Sequence, residues 1–344
     1  MADTKAPSAP NPAPGRAGRE GAARSVLLRK ARELSLVPAL LVLLILGSFL
    51  NDAFFTETNL ISILSASASL AMVVLAESLV LISGKFDLSL ESVVGIAPAF
   101  GALLVLPATG AGFGTELPTG VAMLAILVVG ALLGTFNGLL VVKLQLNAFI
   151  VTLAMLIVLR GLLVGATKGK TLFDMPDAFF SLATTTFLRI PLSVWLAAIA
   201  FVVAGVMLRY HRWGRSLYAV GGNVEAARAA GIRVDRVRLA VYVVAGVLAS
   251  VGGIMYTGYV GAIGANQGQN MIFTVFAAAV IGGISLDGGK GTMFGAVTGV
   301  LLLGVVNNML QLAQVPAHWI QAIYGGIILL ALVIARVTTG RAQD

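Results

Sequence analysis

The chain has 344 residues, 58% of them hydrophobic and only 11% charged, with no cysteine, two histidines and a formal net charge of +8. A soluble domain carries about 25% charged residues, so the composition excludes an ordinary soluble protein and points to a chain embedded in lipid. The lack of cysteine excludes a disulfide framework or thiolate metal site, and His211 and His318 alone leave no scope for a metal cluster.

Residues 1–28 are rich in Ala, Pro, Gly and Arg and show no apolar periodicity. Such a segment cannot bury enough surface to order itself, so it reads as a disordered tail. It is not a signal peptide, because the apolar run follows the tail and lacks an obvious cleavage site.

A transmembrane helix needs about 20 mainly apolar residues. Charge-free windows at Leu34–Asn51, Thr119–Val142 and Ile190–Leu208 each suit one span. Asn59–Ile82, Leu88–Pro107 and Ala148–Thr167 suit three more, with internal charges at Glu77, Glu91 and Arg160. Leu239–Leu286 is long enough for two spans around the polar break Gly264–Asn270, and Thr292–Ala335 for two around Gln314–His318. The expected fold is therefore an all-α polytopic membrane protein of about ten transmembrane helices. Asn137 precedes Ile150 by the same interval at which Asn307 precedes Ile320. That spacing is either coincidence or the mark of a five-plus-five inverted repeat.

With both termini cytoplasmic, 19 of the 23 Lys and Arg residues fall on the cytoplasmic side and three, Lys168, Lys170 and Arg189, on the other. This satisfies the positive-inside rule. It explains the basic balance through the lipid bilayer, with no nucleic acid partner required.

The longest inner loop between spans, residues 209–238, contains GGNVEAARAAGIRVDRVR. Asn223 can cap a short helix over Val224–Ala230, Glu225 suits its first turn, and Gly231 suits a left-handed end. Seven residues are too few for a helix stable alone in water, so this one must lean on something. Its alanine surface fits a shallow groove in a partner, and Arg228, Arg233, Arg236 and Arg238 could meet an acidic rim; a solvated connector is the alternative.

Within the spans, Asn137, Asn307, Asn308 and Gln311 are amides at depth. They suit sugar hydroxyls and helix–helix hydrogen bonds equally. Phe86, Asp87, Ser89 and Glu91 form the densest polar cluster near a span, and Asp87 or Ser89 could simply cap the next helix, with Glu91 in its first turn. Glu77 is an isolated acid within the second expected span, and Arg160 either snorkels or pairs with an acid. GxxxxGK[ST] is absent, and the spacing of GGISLDGGKGT at Gly282–Thr292 does not form a phosphate cradle. No metalloprotease or Ser–His arrangement supports an intramembrane enzyme.

Four stretches carry a resemblance: Ser83–Gly95, Phe136–Leu162, Gly214–Tyr242 and Ala278–Leu310. They resemble the membrane permeases of bacterial ABC importers for simple sugars of the ribose, xylose and galactose type, related to branched-chain amino-acid permeases. Lys85 and Phe86 stand where that family commonly has Gly and Ile. The resemblance implies a transmembrane permease domain over 29–338 with a coupling loop at 209–238 and a short cytoplasmic C-terminus at 339–344. It implies that Asn223, Glu225, Ala226, Ala227, Arg228, Ala230 and Gly231 belong to a coupling helix that docks on an ABC ATPase subunit. It also places Phe86, Asp87, Ser89 and Glu91 at the translocation path or its inner gate. The implied partners are that ATPase, a periplasmic or surface sugar-binding protein, and a second permease copy in a homodimer or heterodimer. The implied location is the bacterial inner membrane, and no cofactor or metal is expected. Branched-chain amino acids, autoinducer sugars and nucleosides are the alternative cargoes. An ion-coupled secondary transporter built on Glu77 and Asp87 is the alternative mechanism.

Overall fold

The computed structural model describes residues 36–110, 112–316, 318–320, 322–326 and 329. The expected tail at 1–28, the segment 339–344 and much of the tenth span lie outside them. In chain order the helices are α1 (Leu36–Leu50), α2 (Glu57–Ile82), α3 (Leu90–Val105), α4 (Thr119–Gly138, prolonged by a π turn over Leu139–Lys143) and α5 (Ala148–Thr167). They continue as α6 (Leu192–Tyr210), α7 (Arg212–Gly222), α8 (Val224–Ala229), α9 (Val234–Val260), α10 (Met271–Ile281) and α11 (Met293–Leu312). The strand pair Thr186–Phe187 and Ile190–Pro191 precedes α6, so that span begins two residues later than expected.

Among the described residues, α2, α4, α5, α6, α9 and α11 are long and apolar enough to cross a membrane. α1, α3 and α10 are shorter apolar helices. The reading of Leu239–Leu286 as two full spans is corrected here: α10 has 11 residues, roughly 16 Å at helical rise, about half the hydrocarbon thickness. The rest of that apolar run is spent on the glycine-rich connections at either end of α10, which hydropathy does not distinguish from helix.

Local chemistry sets several helix starts. Side chains of Thr56, Asn147 and Thr292 accept the backbone N–H three residues on, at 3.3, 3.2 and 3.1 Å. Each satisfies one of the free amides of a first turn. α2 and α9 are apolar over most of their length and much of each is buried, so they form the centre of the bundle. α5 and α6 leave Ile150, Ile157, Leu162, Val202, Val203 and Val206 exposed. Such a face belongs against lipid, where an apolar surface has nothing to escape from.

The packing repeats in two halves. α2 and α9 lie on each other; α9 packs on α3 and α4, and α2 on α10 and α11. α3 packs on α4 as α10 packs on α11. Among these six helices, α2 therefore meets α10 and α11 as α9 meets α3 and α4, the pattern of an internal repeat. The crossing of α4 with α9 is a backbone contact. A methyl on Gly130 or Gly134 would strike the main chain of Gly246 or Tyr242, and one on Gly246 would strike Gly130. Small residues four apart let the two helices close to this distance.

α3 contains Pro98, which has no N–H for the carbonyl of Val94 four residues earlier. Gln267, in the connection between α9 and α10, donates its Nε2 to that carbonyl at 2.9 Å and to Thr257 Oγ1 at 3.1 Å. A distant side chain thus replaces the hydrogen bond that proline removes.

Candidate functional site

The loop between α6 and α9 forms one end of the bundle. His211 Nδ1 accepts the Trp213 N–H at 3.2 Å and starts α7. Asn223 Oδ1 accepts the Ala226 N–H at 2.9 Å and starts α8. α8 ends one residue earlier than expected, with Ala230 as its cap, and Gly231 follows in the left-handed region at φ 79°. Asn223, Glu225, Ala226, Arg228, Ala229, Ala230 and Gly231 are exposed, whereas Ala227 is 3% exposed and turns toward the chain's own core. Arg228 makes a loose pair with Asp235 at 3.7 Å. The six-residue helix therefore leans on its own bundle through Ala227 and turns its remaining small residues outward.

This loop is tied to the connection between α2 and α3. Gly84, Gly221 and Gly288 meet there with almost no side chain between them. A Cβ on Gly288 would lie 2.7 Å from Gly84 Cα and 2.8 Å from the Gly221 carbonyl oxygen. Gly289 donates its N–H to Ile82 O at 2.9 Å. Two side chains from the start of α9 grip the same connection. Arg238 donates from Nε and Nη2 to Ser83 O, both at 3.3 Å, and the Tyr242 hydroxyl donates to Phe86 O at 2.9 Å. Burial and the neighbouring Arg238 lower the pKa of the Lys85 ammonium.

The residues expected on a path divide into three groups. Asp87, Ser89 and Asn137 are brought together in the interior. Asp87 Oδ1 accepts from Ser89 N at 3.0 Å, Ser89 Oγ at 2.6 Å and, more weakly, Asn137 Nδ2 at 3.5 Å. Asn137 Nδ2 also donates to Ser89 Oγ at 2.7 Å. Neither Asp87 nor Ser89 caps α3 with its side chain; Asp87 instead folds its own loop into a tight turn. Burial pushes the Asp87 carboxyl up to about 6, against the Ser89 and Asn137 hydrogen bonds that pull it down. Glu77 lies beside this group, accepting the Asp87 N–H at 3.4 Å. Glu77 Oε2, Asp87 Oδ2 and Asn137 Oδ1 are buried without a partner among the described residues.

Glu91 belongs to a second group. Its Oε1 pairs with Arg160 Nη2 at 3.2 Å, and its Oε2 accepts the Ile272 N–H at 3.1 Å in the first turn of α10. Arg160 Nη1 donates to Gln267 O at 2.7 Å. Arg160 therefore pairs with an acid rather than snorkelling, and Glu91 serves the start of α10 rather than that of its own helix. α3 and α10, the two short helices in matching positions of the two halves, meet at this carboxylate. Phe86 reaches α10 separately, its ring 6.0 Å from that of Phe276.

The third group lies apart. Asn308 exchanges two hydrogen bonds with Asn59, at 3.0 and 2.7 Å, tying α11 to the start of α2. Asn307 is half-buried and adjoins it. Sequence reading missed Gln267 and Tyr242, and it offered Arg238 to a partner's acidic rim, whereas Arg238 grips Ser83 O within the chain. Gln267 stood inside the polar break between two expected spans, and that interruption was its only signal.

Residues 59–332 match the family described as branched-chain amino acid transport system / permease component. The chain is 35% identical over 300 residues to the ribose import permease protein RbsC of Escherichia coli (strain K12), covering 86% of this chain and 91% of that protein. It is 36% identical over 307 residues to the autoinducer 2 import system permease protein LsrC of Klebsiella pneumoniae, covering 89% of this chain and 87% of that protein. Haemophilus influenzae RbsC is 32% identical over 301 residues, covering 86% and 90%. With the apolar spans, the repeated packing and these likenesses together, the chain is a multi-pass membrane protein that belongs to the branched-chain amino acid transport system / permease component family.

Proposed function

We propose that the chain is the membrane-spanning subunit of an ABC importer that moves a monosaccharide of the ribose, xylose and galactose class inward. A separate ATPase subunit hydrolyses ATP and seats α8, and a periplasmic or surface sugar-binding protein delivers the cargo. A second permease copy completes the pathway, because each chain offers one such helix among its described residues. The protein sits in the bacterial inner membrane with α7 and α8 in the cytoplasm.

The observation that carries this reading is the mechanical link. α8 is capped, short and outward-facing, and α9, which follows it, holds the Ser83–Ser89 connection through Arg238 and Tyr242. Displacement of α8 would pass along the start of α9 to Tyr242, whose hydroxyl holds the carbonyl of Phe86, the residue before the buried Asp87–Ser89–Asn137 group. The likeness to RbsC supports a pentose cargo. The likeness to LsrC supports an autoinducer 2 cargo as the second reading.

The test is ATP-driven uptake of ribose and of autoinducer 2 in proteoliposomes holding the permease, its ATPase and its binding protein. Glu225→Lys and Ala226→Trp lie on the outward face and are expected to leave the permease inserted while abolishing ATPase association and uptake. Full uptake in both variants would overturn the docking assignment, and uptake by the permease alone under a proton gradient would overturn the ABC reading.

A further inference from the structure

We propose that the corner between α6 and α7 is a binding site for the headgroup phosphate of an anionic phospholipid. The exposed stripe of α6 runs through Val202 and Val206 to its end, where Arg209 and Tyr210 are also exposed. These positions are three or four apart and share one face of the helix. Acyl chains against the valines would therefore deliver a headgroup to the arginine.

The chain then turns sharply. A methyl on Gly214 would strike the main chain of Met207 and Leu208, so α7 starts hard against the end of α6. Arg212 and Arg215, both exposed, follow Arg209 around this corner. The Arg209 guanidinium lies 5.4 Å from the centre of the Tyr210 ring. Arg215 Nη1 donates to Tyr210 O at 3.0 Å, which folds that side chain back onto the corner. Among the described residues the ion pairs are Glu91–Arg160, Glu57–Arg189 and Asp235–Arg228, so none of these three guanidiniums has a carboxylate partner.

Three cations within seven residues, unneutralised and at the rim of a lipid-facing helix, repel one another unless an anion joins them. A phosphate is the anion that the guanidinium fork matches bidentately. A tyrosine at the same level is the usual companion of a headgroup layer. A phosphodiester anchored by its chains satisfies the apolar stripe and the charges together, which free phosphate does not.

The experiment is lipid binding by the full-length permease alone, without its ATPase. Delipidated protein is titrated with phosphatidylglycerol or phosphatidylcholine and bound lipid is counted by native mass spectrometry. The wild type is expected to prefer phosphatidylglycerol. Each arginine near an anionic surface contributes about fivefold, so R209Q/R212Q/R215Q should lose the preference by roughly tenfold or more. K143Q/R233Q/R236Q, which removes three cations elsewhere at the same end, should keep it. Single R209Q and R212Q variants, each expected to lose a few-fold, give the same reading if the triple variant does not purify. The proposal is overturned by equal binding of the two lipids, by an unaltered preference in the arginine variants, or by an equal loss in the control. Inorganic phosphate that displaces phosphatidylglycerol at matched concentration would assign the corner to a free anion instead.

Discussion

Replacing Gln267 with leucine should expose the debt left by a proline 169 residues earlier in the chain. The wild-type side chain is 4% exposed and donates to Val94 O and Thr257 Oγ1. Leucine has similar bulk and donates nothing. Thr257 can turn its hydroxyl toward its own helix, but Pro98 offers no N–H to Val94 O. A buried carbonyl left bare costs about 1–3 kcal/mol. At roughly 2–4 °C per kcal/mol for a chain of this general size, melting should fall by about 2–12 °C. Pro98→Ala gives α3 back the missing N–H. In that background Gln267→Leu should cost less, by about 1 kcal/mol or more. The measurement is thermal unfolding of the purified permease in one detergent at one scan rate, for the wild type, both single variants and the double. Any void left by the smaller alanine cancels in the comparison, since both P98A proteins contain it. Equal costs in the two backgrounds would refute the claim that Gln267 replaces the proline's missing hydrogen bond.

Arg160→Met should destabilise by about 3–5 kcal/mol because it strands the carboxylate of Glu91 in the interior. Glu91→Gln keeps an acceptor for the Ile272 N–H and should cost less; equal and additive losses in a double-mutant cycle would contradict the pairing. Tyr242→Phe removes the grip on Phe86 O and is expected to lower uptake several-fold while ATP hydrolysis by the assembled transporter continues; proportional loss of both would count against the link. Asp87 titrates at about 6 in the folded chain, above its ordinary value of 3.8. A raised acid favours the folded state while protonated, so its contribution to stability is lost as pH rises through about 4 to 6. The permease should be more stable at pH 5 than at pH 7.5, and Asp87→Asn should flatten that part of the profile; an unchanged slope in the variant would assign it to other groups.

Features written in local chemistry were legible in the sequence. Asn223 and Gly231 bracket α8 because a cap and a left-handed end each need one particular residue type at one place. The boundaries of α2 and α5 followed from where polar residues interrupt apolar runs. Features that depend on distant partners were not legible. Glu91 looked like a first-turn acid of its own helix, and nothing nearby shows that its oxygens serve Arg160 and the amide of Ile272. The shortness of α10 was hidden because glycine-rich connections are as uncharged as the helix they replace. Ala227 looked equivalent to its neighbours, since six residues are too few to show which alanine turns inward.

The meeting of Gly84, Gly221 and Gly288 has a consequence for motion. A crossing cushioned by side chains can absorb a push by changing rotamers, and little of the push arrives on the far side. Here main chain abuts main chain, so no such slack exists. A shift at α7 must carry the neighbouring segments along or break the contact outright, which makes this crossing behave as a rigid linkage and not as a spring.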